Sequence, residues 1–356
     1  MKDDSRTGQI ATEPRPRSGL LRAFRNAAVF ALALSAACVA IRASLPFPKV
    51  PGIYEKYLHF SRTMADYDVL FIGSSRVYRA IIPQQFDASV AAATGETVRS
   101  FNLAYDGVQP PESYFLLRQI LALHPPKLRW VFVEASPVQS VIMEGRPTRR
   151  LAYWHDLRHT WFVLEAIAGE AIPLAEKWSR WSEHCGHAFN VFTNSDAGAE
   201  WLRPRFGLEK PEKKTRWDPP KDWAGRAGYA PFVGERQSRL TNKALARYRQ
   251  KISGQTPGPV RTIPRGWKRE LNRLVAEIRG AGAQPVFVIT PSVKGLENYS
   301  GYPHDVPLFR FQDPMEFPAL FDPAVHWDHS HLNDAGARIL TDLVSARFDK
   351  LLRPQP

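Results

Sequence analysis

The chain has few cysteines and no surplus of acidic residues. Its 356 residues include two cysteines, Cys38 and Cys185, so a framework of disulfide bonds is excluded and the redox compartment stays open. Lys and Arg number 48 against 35 Asp and Glu, and the resulting charge of +13 favours polyanionic partners such as anionic lipid or an acidic cell-wall polymer. The positive charge follows no basic-helix or zinc-finger pattern, so nucleic acid is not expected as a partner.

One apolar run near the N-terminus suggests a membrane segment. Residues 27–41 are apolar apart from one serine and one cysteine, and residues 43–46 extend the run past Arg42. The run is slightly short for a spanning helix, so Arg42 has to reach towards the interface. A signal anchor, a signal peptide cleaved near Ala43 and a lipoprotein signal at Cys38 all fit. We favour a single-pass anchor in the cytoplasmic (inner) membrane, with the body outside the cytoplasm because four arginines precede the run: Arg15, Arg17, Arg22 and Arg25.

Short apolar strands alternate with amphipathic helices after this segment, and no internal repeat is visible. Such alternation predicts the α/β class, with a mostly parallel sheet covered by helices on both faces. The spacing of apolar residues predicts strands at residues 68–73, 98–103, 130–134 and 285–290, and helices at residues 83–93, 111–123, 267–279 and 334–348.

The expected organisation interrupts this α/β domain with an insertion. We expect a cytoplasmic tail at residues 1–25, a transmembrane anchor at 26–46, an α/β domain in two parts at 47–139 and 266–356, and a Trp-rich insertion at 140–265. The insertion holds seven of the ten tryptophans, so it is singled out as a separate unit. Tryptophans suit core packing, sugar stacking or an interfacial belt, and the sequence does not separate these roles.

Two distant segments carry residues suited to nucleophilic catalysis. Residues 73–76 read Gly-Ser-Ser-Arg directly after the first strand, and functional groups collect at the carboxyl ends of parallel strands. A serine at the start of the next helix exposes its hydroxyl beside backbone N–H groups that can stabilise an oxyanion. Near the C-terminus, Asp328 precedes His331 by three residues, a spacing that lets the carboxylate hold the imidazole in one tautomer facing a serine.

Each segment also has a simpler interpretation. A Gly-Ser-Ser turn is a common helix cap. The loop around Asp328 contains His326, His329 and His331, which could bind a metal, but it lacks the spacing of a defined zinc motif and we expect none.

Together the two segments resemble the SGNH/GDSL hydrolase superfamily, in which the serine also lies near the beginning of the domain and Asp-x-x-His precedes the last helix. The resemblance covers residues 68–123 and 267–348. It implies a three-layer, flavodoxin-like parallel sheet and a serine esterase or O-acyltransferase without a cofactor. In this sequence Ser75 would be the nucleophile, His331 the general base and Asp328 its orienting acid.

The resemblance extends to the surroundings of the nucleophile, with one departure. It implies an oxyanion hole from the amides of Ser75 and Gly107, in the segment that follows the second strand. Arg76, beside the nucleophile, and Asn102, in the same segment as Gly107, are assigned to substrate binding, although Arg76 could equally point to solvent. The family's third block, Gly-x-Asn-Asp, is missing, because the third strand ends in Glu134 followed by Ala-Ser-Pro.

This layout is closest to membrane-anchored DltD-like acyl-transfer proteins. The expected function is therefore acyl transfer or ester hydrolysis on a cell-envelope polysaccharide or glycan, and the sequence does not decide whether water or a sugar hydroxyl accepts the acyl group. A polytopic membrane-bound O-acyltransferase is the expected partner and acyl donor. The competing hypothesis, based on the missing third block, is a catalytically silent glycan-binding or scaffold subunit of such a complex.

Overall fold

Five short apolar runs form one parallel sheet. The computed structural model describes residues 17–142, 148–207, 222–232, 260–292 and 299–353. Leu70 of the first strand pairs with Phe101 on one side and with Val131 on the other, which sets the register at the centre of the sheet. The strands are β1 (Val69–Ile72), β2 (Ser100–Asn102), β3 (Trp130–Glu134), β4 (Gln284–Ile289) and β5 (Leu308–Arg310).

The strand order is β2-β1-β3-β4-β5, and every neighbouring pair is parallel. The chain adds β2 on one side of β1 and then adds β3 on the other side. The order of strand addition therefore reverses at β1, although all the strands stay parallel. Doubly wound sheets open a crevice at such a switch point, outside the carboxyl ends of the strands. The segments that follow β1 and β3 meet at this crevice.

Eleven helices are present in the described ranges. Their bounds are α1 (Arg17–Ser44), α2 (Ile53–Thr63), α3 (Ser75–Tyr78), α4 (Pro83–Thr94), α5 (Glu112–Leu121), α6 (Thr148–Ala152), α7 (Leu157–Ala168), α8 (Leu174–Phe192), α9 (Ser195–Arg205), α10 (Arg265–Gly280) and α11 (Asp334–Leu352).

Helices flank the sheet and close its core. On one face α4 packs against α11, where the buried rings of Phe86 and Phe348 both contact Phe132 of β3. Helix α10 packs against β4, α5 and α7, and Arg118 of α5 forms ion pairs with Glu270 and Glu277 of α10. The predicted α/β class and parallel sheet are confirmed.

Most of the predicted elements are present, with small shifts at their ends. The strand and helix predictions correspond to β1–β4 and to α4, α5, α10 and α11. Asn333 caps α11, its Oδ1 accepting from the Gly336 N–H at 3.1 Å. Helices α2 and α9 and the edge strand β5 are among the elements that were not predicted.

The N-terminal helix is longer than the apolar run and stands largely apart from the body. Within α1, residues 19–44 are long and apolar enough to cross a membrane, and nearly all of them are exposed. The coarse prediction of one N-terminal apolar helix is therefore confirmed. Of the expected cytoplasmic tail, residues 1–16 lie outside the described residues, as do residues 143–147, 208–221 and 233–259 of the expected insertion.

Candidate active site

The nucleophile candidate lies in a tight turn at the carboxyl end of β1. Ser75 begins α3 and is half-buried, while Ser74 caps this single helical turn by accepting the Arg76 N–H at 3.2 Å. Gly73 makes the turn possible, since a β-carbon at this position would lie 2.6 Å from Cβ of Glu134. No side chain larger than that of glycine fits there, and β1 can therefore approach the end of β3 closely.

The structure brings the three predicted catalytic residues together across the chain. Ser75 Oγ lies 2.7 Å from Nε2 of His331, a residue 256 positions away. On the other side of the ring, His331 Nδ1 lies 2.8 Å from Oδ1 of Asp328. Both separations are hydrogen-bond distances, and the order Ser–His–Asp leaves Nε2 placed to take the serine proton.

Asp328 is held by more than the imidazole. Its Oδ1 also accepts the backbone N–H groups of Ser330 at 2.8 Å and His331 at 3.0 Å, so the loop folds around the carboxylate. Burial alone would raise the pKa of Asp328, but the hydrogen bonds and charge of His331, with the two backbone N–H groups, outweigh it and lower the pKa. The carboxylate is therefore ionised at neutral pH.

Glu134 forms a buried brace behind the turn at residues 73–76, here called the nucleophile turn, because it bonds to residues on both sides of Ser75. Its side chain at the end of β3 is almost fully buried, and its Oε2 accepts the Ser74 N–H at 2.6 Å. Its Oε1 forms an ion pair with Arg76 Nε at 2.8 Å and accepts from the Thr290 hydroxyl at 3.2 Å. The carboxylate thus holds the residues on both sides of Ser75 in place.

The sequence interpretation did not predict these contacts of Glu134. The sequence shows only that a glutamate ends the third strand, where the family resemblance would place an asparagine. The available signal was the combination of a carboxylate at the end of β3 with an arginine directly after the serine, because parallel neighbouring strands bring their ends together. Glu134 occupies the region of the missing third block, but it presents acceptors and no N–H donor.

Arg76 lies at the edge of a small pocket beside the switch point. The pocket is lined by residues that follow the carboxyl ends of β3, β4 and β5, among them Ser136, Thr290 and Gln312. The ion pair with Glu134 fixes the Arg76 guanidinium at this rim, and its side chain remains partly exposed. The predicted role in substrate binding fits this location and stays a prediction.

The loop after β2 runs directly beside the nucleophile turn. Tyr105 donates its backbone N–H to the Gly73 carbonyl at 3.2 Å. Gly107, two residues further on, has a φ of 68°, a conformation that favours glycine. Buried polar side chains support this loop, because Lys56 donates to the Ala104 carbonyl at 2.6 Å and Arg79 pairs with Asp106. Gly107 is therefore near the turn, and its role as oxyanion donor stays a prediction.

Asn102 lies behind the site and not in it. Its side chain is fully buried, and its amide nitrogen donates to the carbonyls of Val77 at 3.0 Å and Ile81 at 2.9 Å. Its amide oxygen accepts the Ala104 N–H at 3.1 Å. These contacts tie α3 to the loop after β2, and they correct the assignment of Asn102 to substrate binding, since its amide faces the backbone of the protein itself.

A segment of the expected insertion covers one side of the histidine. Phe232 stacks on Trp327 with ring centroids 4.9 Å apart and meets the His331 ring edge-on at 5.3 Å. The same segment is fixed to the sheet, because the Ala227 carbonyl accepts the Asn102 N–H at 2.8 Å. Residues 222–232 therefore form a wall beside His331.

The comparisons with known proteins place the chain in no family. No protein-family model matches it, and no curated protein is significantly similar to it. Among the residues that the structure describes, no group of three or more His, Cys, Asp or Glu side chains is arranged to hold a metal ion. The geometry of the site, a serine hydroxyl within hydrogen-bond distance of an imidazole that is paired with a carboxylate, is suited to nucleophilic catalysis.

Proposed function

We propose that the protein is a serine-dependent acyl-transfer enzyme of the SGNH/GDSL type, anchored in a membrane and acting on a cell-envelope glycan. The observation that carries the proposal is the continuous hydrogen-bonded series from Ser75 Oγ through His331 to Asp328, with distances of 2.7 and 2.8 Å. The simpler interpretation of the Gly-Ser-Ser turn as a helix cap accounts for Ser74 only. It does not explain why an imidazole paired with a carboxylate faces Ser75.

The chemistry follows from this arrangement in two steps. His331 Nε2 takes the Ser75 proton as Oγ bonds to the ester carbonyl carbon, and the resulting imidazolium is stabilised by the Asp328 carboxylate. The leaving alcohol departs with the proton from His331, and the acyl group stays on Ser75. A second hydroxyl then gives its proton to His331 as its oxygen bonds to the acyl carbon. The bond between that carbon and Ser75 Oγ breaks, and His331 returns the proton to Oγ, which restores the starting state.

The oxyanion of each tetrahedral intermediate needs N–H donors. Within the described ranges the Ser75 N–H has no hydrogen-bond acceptor, so it is available to a substrate oxygen. Gly107 is the proposed second donor, in the loop that contacts Gly73. The absence of an asparagine after β3 leaves two backbone donors, which suffices for acyl transfer in general, although each lost donor costs about 10²–10³ in rate.

The membrane helix and the basic charge support the choice of substrate and partner. A membrane-anchored chain with a net charge of +13 suits an anionic or glycan substrate of the cell envelope. A polytopic membrane-bound O-acyltransferase would supply the acyl group, and α1 would dock against it. A silent scaffold subunit is the weaker candidate, because it has no need of the aligned serine, imidazole and carboxylate.

The test is covalent labelling of the full-length protein by a fluorophosphonate. We expect labelling of the wild type, none of Ser75→Ala, and retained labelling of Ser74→Ala, whose loss of a helix cap costs about 0.5–2 kcal/mol in stability without removing the nucleophile. Absence of labelling in a folded wild-type protein would reject the enzyme and favour the scaffold. Labelling lost in Ser74→Ala instead of Ser75→Ala would move the nucleophile by one residue.

A further inference from the structure

The C-terminal end of α1 packs against the body of the protein. Most of α1 is exposed, but Cys38 is buried and Ser35 and Arg42 are half-buried. These three residues share one face of the helix, since they are spaced by three and four positions. Asn194 donates its amide N–H to the Cys38 carbonyl at 2.9 Å, and Arg42 pairs with both oxygens of Asp196 at 3.0 and 3.1 Å.

These contacts fix the depth of the body relative to a bilayer. The 26 residues of α1 that could cross a membrane measure about 39 Å, close to the thickness of a bilayer with its headgroups. Cys38 lies six residues before the end of α1 at Ser44, about 9 Å along the axis. Asn194, bonded to Cys38, is therefore held at the boundary between headgroups and hydrocarbon.

The chain on both sides of Asn194 exposes large apolar side chains. Phe189 is in the last turns of α8, and Trp201 and Leu202 lie in α9, with Phe206 directly after it. Their side chains are between 43% and 68% exposed, although residues of this size are normally buried. The guanidinium of Arg205 lies 3.8 Å from the centre of the Trp201 ring, so a positive charge accompanies the aromatic surface.

We propose that this α8–α9 apolar surface (Phe189, Trp201, Leu202 and Phe206) is a second membrane contact, seated in the leaflet that surrounds the C-terminal end of α1. The occupant is lipid, because α8 and the start of α9 contact α1 at Cys38 and Arg42, in the last two turns of the helix that could span a membrane. Tryptophan and arginine are the residues that favour this layer. The proposal rests on the membrane anchor in the proposed function, and it makes α9 an interfacial helix.

The consequence is a fixed orientation of the body. One spanning helix followed by a flexible connector would let the active site rotate freely above the membrane. Two contacts, the α1 helix and the α8–α9 apolar surface, leave one orientation, and they hold the crevice beside β1 and β3 at a constant height over the bilayer.

The test measures contact with lipid in the full-length protein. An environment-sensitive thiol-reactive dye is attached to Leu202→Cys in a Cys185→Ser background, and the protein is reconstituted in vesicles of brominated phosphatidylcholine without other proteins. Matched labels at Ala33→Cys, in the middle of α1, and at Met315→Cys, an 84% exposed residue of the body, give the two limits. Thermal unfolding followed by circular dichroism verifies that each variant is folded.

We expect quenching at Leu202→Cys of roughly half that at Ala33→Cys or more, as for a helix inserted to the headgroup boundary, and none at Met315→Cys. If the label at Leu202→Cys were quenched no more than the label at Met315→Cys, the proposal would be overturned, and a protein partner would be the better occupant of this surface. Fluorophosphonate labelling of the protein in the same vesicles tests whether Ser75 is a reactive nucleophile. Absence of quenching at Ala33→Cys would show that α1 does not span the bilayer. Failure of the surface is thus distinguished from failure of the enzyme or of the membrane helix.

Discussion

Glu134 is the residue whose role is best tested by a conservative change. Glu134→Gln keeps the size of the side chain but replaces one of two acceptor oxygens with a donor, so either the Ser74 N–H or the Arg76 ion pair loses its partner. The nucleophile turn then shifts relative to His331. We expect the rate of fluorophosphonate labelling to fall by about 10- to 100-fold, as for a misplacement on the order of 1 Å.

A matched control is Glu277→Gln, another carboxylate paired with arginines, which lies on α10 away from the site. It should leave the labelling rate unchanged. A purely structural role for Glu134 would instead lower the thermal stability of Glu134→Gln and leave the labelling rate of the folded protein at the wild-type value.

Asp328 is expected to act through the tautomer of His331. In Asp328→Asn the amide can donate to Nδ1, which places the imidazole proton on Nε2 and removes the base that faces Ser75. We expect labelling to slow by about three to four orders of magnitude. The neighbouring substitution His329→Ala leaves the Asp328–His331 hydrogen bond in place, and an equal loss in that variant would contradict the assigned roles.

The lowered pKa of Asp328 also sets its contribution to stability. A carboxylate whose pKa in the folded protein lies below its unfolded value stabilises the fold above that unfolded value, and the contribution is lost as the pH falls through the folded pKa. The stabilisation from Asp328 is therefore complete at neutral pH and disappears only in strong acid.

The sequence predicted those site residues that belong to a motif with a fixed order along the chain. Ser75, Asp328 and His331 follow a serine-first, Asp-x-x-His-last pattern, and the structure brings them within hydrogen-bond distance. Asn102 was assigned incorrectly because a polar residue at a strand end looks the same whether its amide faces a crevice or the backbone. Glu134 was missed because its partners belong to a neighbouring strand.

At the scale of helices, a buried pair of histidines joins the end of α6 to α8. His155 Nε2 lies 2.8 Å from His184 Nδ1, both rings are almost fully buried, and the His187 ring is 5.1 Å from that of His155. Burial, aided by the two neighbouring imidazoles, lowers the pKa of His155 to about 2, and burial lowers the pKa of His184 to about 4.

These values predict a loss of stability in mild acid. Below the unfolded histidine pKa of about 6.5 the unfolded chain takes up protons that the folded chain refuses, so the free energy of unfolding falls with pH by about 1 kcal/mol per histidine and pH unit. Above this pH the contribution of His155 and His184 to the free energy of unfolding no longer changes with pH. We expect the thermal midpoint of the full-length protein in detergent to fall between pH 7 and pH 5.

The comparison variant is His184→Gln, which removes one of the two groups and should reduce the slope of the thermal midpoint against pH. His124→Gln, at an exposed histidine, should leave the slope unchanged. An identical slope in His184→Gln and in the wild type would show that other groups cause the acid sensitivity.

The elements that sequence predicted share a clear local signal. Strand β3 reads Trp-Val-Phe-Val-Glu, a run that only a buried strand explains well, and α10 carries apolar residues at helical spacing. Strand β5 has three residues, and its place is set by pairing with β4 rather than by its own sequence. Helix α2 mixes aromatic and charged residues after a proline-rich connector, and one of the three residues that it buries is a lysine, Lys56, which a search for apolar residues does not pick out.

On the scale of the whole molecule, the membrane helix and the candidate active site belong to one connected structure. The α1 helix is attached to the body through Cys38 and Arg42, and the α/β domain carries the Ser75–His331–Asp328 series at the switch point of its sheet. Residues 19–34 of α1 are all exposed and include many small residues, which permit close packing against another membrane helix. This part is free to contact a partner while the end of α1 holds the body.

A swap confined to this part tests the proposed acyltransferase partner. Residues 19–34 are replaced by an unrelated apolar helix of equal length, and Ser35–Ser44 are kept so that the contacts of Cys38 and Arg42 with the body survive. We expect fluorophosphonate labelling of Ser75 to be unchanged, because residues 19–34 are exposed and take no part in the hydrogen bonds of Ser75, His331 and Asp328. Acylation of the glycan in cells should fall, because the docking face is lost. Arg42→Ala, which breaks the ion pair with Asp196 but keeps the small residues, separates loss of the partner from loss of orientation. Unchanged glycan acylation in the swap would show that α1 is a tether, and a free-standing esterase would then be the better description of the protein.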